Sequence, residues 1–106
     1  MKHVDYEVSS GNIFHDLGLP DAEKLDAKAH LAIQIANIIN KRGLTQSLAA
    51  KVLGIDQPKV SAIVRGHLEK FSLDRLCELL TKLGCNVEIR VREDNKAAHG
   101  TVSVRR

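Results

Sequence analysis

One window constrains the fold of this chain more than any other: TQSLAAKVLGIDQPKVSAIVRG, residues 45–66. Thr45 and Asp56 each carry a short oxygen-bearing side chain, and each stands just ahead of a run whose apolar residues recur three and four apart. Gly54 and Gly66 close the two runs. The spacing predicts two short helices, Gln46–Leu53 and a second from Gln57 to Arg65, with a brief turn between them. Pro58 falls in the first turn of the second helix, where its missing N–H costs nothing.

Two short helices joined by a glycine-containing turn make a helix-turn-helix. Its packing asks for particular residues at particular places. The first helix needs a small residue where the second crosses it, and Ala50 supplies one. The turn needs a residue that tolerates positive φ, and Gly54 supplies it. The second helix needs branched apolar residues facing back, and Val60 and Ile63 supply them. Ala49, Leu53 and Ile55 complete the shared core.

The rest of the chain reads as support for this unit. Before it, a long helix is expected with Asp21 as its cap, ending at Lys41, Arg42 and Gly43. Leu25, Ala29, Ala32, Ala36 and Ile39 make one apolar stripe on it, and Leu31, Ile35 and Ile38 a second beside it. After it, Ser72 caps a fourth helix with Leu73, Leu76, Cys77, Leu80 and Leu83 on one face and Gly84 at its end. Beyond Gly84 the period changes to two: Val87, Ile89 and Val91 alternate with Glu88, Arg90 and Arg92, as in a half-buried strand. A lone strand is not stable. Its candidate partners are the same strand of a second subunit, the tail Thr101–Val104, and the N-terminal HVDYEV, which also alternates. The symmetric dimer is favoured, because a two-fold axis supplies a self-complementary pair. Ile13–Leu17 is expected to form one helical turn.

At 106 residues the chain is one domain with a single modest core. Its aromatics are only Tyr6, Phe14 and Phe71, so the core must be Leu, Ile, Val and Ala. In residues 1–22, Lys2 stands against Asp5, Glu7, Asp16 and Asp21, a balance of −3; with a whole-chain charge of +3, the remainder carries +6. The expected organisation is an acidic leader over 1–21, a helix-turn-helix domain over 22–84, and a strand and tail over 85–106. Cys77 and Cys85 match no zinc spacing and read as reduced thiols. The first residues lack the apolar run of a signal peptide. Leu31–Ile39 is too short to span a bilayer, so no membrane partner and a cytoplasmic location are expected.

At these residues the chain resembles a known family. GLTQSLAAKVLGIDQPKVSAIVRG resembles the helix-turn-helix of the XRE, or Cro/C1, class of phage and bacterial regulators. Together with it, GNIFHDLGLPDAEKLDAKAHLA, FSLDRLCELLTKLG and NVEI are similar to small XRE regulators that act as antitoxins of the HigA kind. The likeness covers roughly residues 11–91. It implies an all-α, lambda-repressor-like bundle with a short C-terminal strand; the two-fold pairing favoured above for that strand makes Val87, Ile89 and Val91 the expected dimerisation residues. It implies a homodimer that binds a double-stranded DNA operator, represses its own operon and neutralises an mRNA-cleaving toxin from the neighbouring gene.

In helix-turn-helix geometry the second helix enters the major groove with its first residues at the base edges. Here these are Gln57, Pro58, Lys59 and Ser61. Gln57 can pair with adenine N6 and N7, and Lys59 suits guanine or a phosphate. The Pro58 ring can touch a thymine methyl. Gln46 suits a phosphate, while Thr45 is a phosphate contact or a plain cap. Arg65, His67 and Lys70 are placed for flanking phosphates. Lys41 and Arg42 suit the same task, or complement the dipole of their own helix. The histidines show no ligand spacing, and no nucleophile constellation or phosphate-cradling loop is present, so neither an enzyme nor a metal or other cofactor is expected. The competing readings are a phage-type repressor without a toxin and a protein-interaction adaptor that does not read DNA.

Overall fold

The computed structural model describes residues 3–7, 18–93, 96 and 100–105, with 3–7 described as backbone. The turn expected over Ile13–Leu17 lies outside the described residues. In chain order the elements are β1 (His3–Glu7), α1 (Asp21–Lys41), α2 (Gln46–Leu53), α3 (Gln57–Arg65), α4 (Leu73–Lys82) and β2 (Glu88–Arg92).

Local chemistry sets the helix limits. The Thr45 hydroxyl accepts from Leu48 N–H at 3.1 Å, the Asp56 carboxylate from Lys59 N–H at 3.0 Å, and the Ser72 hydroxyl from Arg75 N–H at 3.0 Å. Each satisfies one of the amides that a helix start leaves open. α2 ends at Gly54, where φ is +70°, and its N–H closes on the Ala50 carbonyl at 2.9 Å. α3 ends at Gly66 with φ +78°, and His67 N–H reaches back to the Ala62 carbonyl at 2.8 Å. α1 departs from expectation at its start. Pro20 occupies the cap position and offers no side-chain bond, while Asp21 is already helical. The Asp21 carboxylate therefore acts in the first turn, facing the positive end of the helix dipole rather than capping it.

α1 lies against α4 and α3, and α2 packs on α3. The inward face of α1 is Ala27, Leu31, Ala32, Ile35 and Ile39, all buried. Of the broader face expected from sequence, Ala29, Ala36 and Ile38 are half-buried, and Leu25 is 60 % exposed. Leu25 stands at the flank of the inward stripe, ahead of its first buried member. α4 contributes Leu73, Leu76, Cys77, Leu79 and Leu80, and Leu83 just past its end joins them. The loop between α3 and α4 buries Leu68 and Phe71 and leaves His67, Glu69 and Lys70 outside.

β2 pairs antiparallel with β1, the N-terminal one of its three candidate partners. Within the single chain this pairing takes up one edge of β2. The register is His3 with Arg92, Val4 with Val91, Asp5 with Arg90, Tyr6 with Ile89, and Glu7 with Glu88. It aligns the two alternations, apolar with apolar, and sets Asp5 across from Arg90. The tail is also engaged. Val102 N–H donates to the Glu23 carboxylate on α1, and Val104 packs against the core.

Candidate nucleic-acid interface

The α2–α3 unit is held from within by Ala49, Leu53, Val60 and Ile63, none more than 2 % exposed. Ala50, at 9 %, is buried with them. Ile55 in the turn packs against this core, and its N–H also closes on the Ala50 carbonyl, at 3.1 Å. A bulkier side chain at 50 would push the helices apart, and a residue other than glycine at 54 would be strained.

Burial of one side of α3 determines what the other side presents. Gln57, Pro58, Lys59, Val64 and Arg65 are exposed, while Ser61 and Ala62 are half-buried. At the start of α3, Asp56 takes the Lys59 N–H, and Pro58 has none to offer. The Gln57 N–H is thus the one amide of this first turn without a protein acceptor among the described residues. At the start of α2 the amides of Gln46 and Ser47 have no acceptor among the described residues, because Thr45 satisfies Leu48 and Ala49. Open amides at a helix start, with the dipole behind them, favour an anion. Thr45 therefore acts as a cap in this structure, and Gln46 is exposed beside the open amides.

His67 and Lys70 are exposed on the loop that follows α3, anchored beneath by Leu68 and Phe71. Glu69 sets a carboxylate between them. From Lys41 to Lys70 there are six Lys and Arg against Asp56 and Glu69, so the unit is basic. Arg42 is otherwise engaged: its Nη2 donates to the Leu83 carbonyl at 2.8 Å. That bond joins the C-terminal ends of α1 and α4 and gives Arg42 a structural partner besides its candidate phosphate role. Sequence reasoning missed it because the two residues are 41 positions apart.

Among the described residues no group of three or more His, Cys, Asp or Glu could hold a metal ion. No helix among them is long and apolar enough to cross a membrane.

A short capped helix, an αL glycine turn and a second capped helix with an exposed polar start define a helix-turn-helix protein. The chain belongs to the family described as helix-turn-helix domain, whose pattern it matches over residues 13–92. It is similar to a solved structure named as an XRE family transcriptional regulator. The identity is 42 %, the TM-score 0.77, and the match covers 82 % of this chain and 99 % of that one. No curated protein matches the chain.

Proposed function

We propose that this chain is a sequence-specific DNA-binding transcriptional regulator of the XRE class that reads its operator with α3. The observation that carries the reading is the division of α3. Val60 and Ile63 are buried against α1 and α2, and the same helix leaves Gln57, Pro58 and Lys59 exposed at its start. A rigid scaffold under a polar helix tip is what groove recognition requires. Membership of the helix-turn-helix family and the likeness to an XRE regulator support it. Gln57 takes an adenine edge, Lys59 a guanine or phosphate, and Gln46, Arg65, His67 and Lys70 the flanking backbone.

The finer reading is a homodimeric repressor that serves as the antitoxin of a toxin–antitoxin pair. Its supports are the resemblance to HigA-like regulators and the acidic leader, suited to a basic RNA-cleaving toxin. The order of the two-stranded sheet gives each strand one edge beyond the pair. A second copy can add at β2 through Val87, Ile89 and Val91, and a partner strand at β1.

Binding to the duplex upstream of the gene tests the main reading. Gln57→Ala and Lys59→Ala are each expected to weaken specific binding by about 1–3 kcal/mol. Unchanged affinity in both variants would remove α3 as the reading helix and leave an adaptor that binds protein.

A further inference from the structure

The outward edge of α3 has a member that the sequence reading passed over. Val60 and Ile63, 0 % and 2 % exposed, fix the inward direction of this helix. With 3.6 residues to a turn, Pro58 and Arg65 lie nearly opposite that direction, and Ser61 and Ala62 flank them. Ala62 stands one turn beyond Pro58. It is half-buried and rests partly against the core, so its methyl group is held in place. Pro58 is exposed and has neither an N–H nor a polar side chain. Together they form an apolar step between Gln57 at the start of the edge and Arg65 at its end.

An apolar step in the major groove discriminates among base edges. A base nitrogen or oxygen set against it loses water and gains no partner, which is costly. The thymine C5-methyl group is the one apolar group the natural bases present in that groove. From this we infer that Pro58 and Ala62 are specificity-determining residues that receive thymine methyl groups. The inference rests on α3 being the DNA-reading helix. It adds a residue, Ala62, and a base chemistry to that reading.

The test uses the full chain and a duplex that it enriches from a random library. Each thymine of that duplex is replaced in turn by deoxyuridine, which removes the methyl and keeps the base pair. Binding is followed by fluorescence anisotropy. At one or two thymines in each half-site the wild-type affinity is expected to fall about fourfold, the worth of one buried methyl group. Pro58→Ser and Ala62→Ser are expected to bind the parent duplex more weakly and to show no further loss at the matching thymine. Two results overturn the inference while leaving DNA reading intact: a wild-type protein indifferent to every replacement, or variants as sensitive as wild type, with Gln57→Ala still weakening binding. Failure to enrich any sequence overturns both.

Discussion

Gly54 turns through φ +70°, and a Cβ built there would stand 3.3 Å from the Lys82 ammonium. The contact is with the free end of a long side chain, which can move; the backbone conformation cannot. Gly54→Ala is therefore expected to cost about 1–2 kcal/mol in denaturant unfolding, chiefly from left-handed strain. A second residue-scale consequence concerns Cys77, 2 % exposed on α4. Burial, and then the nearby Asp74 carboxylate, raise its thiol from 9.0 to about 11. Below pH 9 the thiol is neutral whether the chain is folded or not. Above it, the unfolded thiol ionises while the buried one holds its proton. Stability is thus expected to fall between about pH 9 and pH 11, by up to about 2–3 kcal/mol. The comparison of wild type with Cys77→Ala across that range isolates the effect, and equal slopes would refute it.

Among the elements, the C-terminal ends of α1 and α4 are tied by one polar side chain. Arg42→Ala removes the bond to the Leu83 carbonyl and leaves a part-buried acceptor unpaired. It is expected to destabilise the fold by about 1–3 kcal/mol in thermal or denaturant unfolding. Operator affinity of the folded variant should stay within about twofold, which separates a structural arginine from a phosphate contact. Apart from the start of α1, helix limits were legible in the sequence because their causes are local. Thr45, Asp56 and Ser72 cap the residue three places on, and Gly54 and Gly66 stop what they follow. What escaped was non-local. The alternation in β2 shows that it needs a partner but not which one, and β1 and a second copy satisfy the same pattern. Leu25 read as core because apolar spacing on a long helix says nothing of where the neighbouring helices stop. Ala62 escaped for a different reason: a small apolar residue carries no chemical signature until the helix orientation is known.

On the scale of the whole molecule, charge is unevenly distributed. The leader is acidic, while the helix-turn-helix unit is basic, so each suits a partner of opposite sign. Deleting residues 1–20 is expected to abolish binding of the neighbouring gene's product while the shortened protein still binds the operator. Both are read by pull-down and gel shift, alongside a melting curve to show that the helices remain folded. Loss of operator binding with the toxin interaction preserved would refute the proposed division.

The pairing of β1 with β2 also has a bearing on how the chain is made. Glu7 and Glu88 are partners 81 residues apart, and every helix is threaded between them. Closing so long a loop is entropically costly until the intervening helices have compacted. β1 thus precedes every helix in the chain yet cannot pair until β2 has been made. A chain cut short before residue 88 lacks the partner of β1, which leaves the backbone of residues 3–7 open to proteases or to another strand. The arrival of β2 is what covers one backbone edge of residues 3–7, so the accessibility of that edge reports whether the far end of the fold is in place.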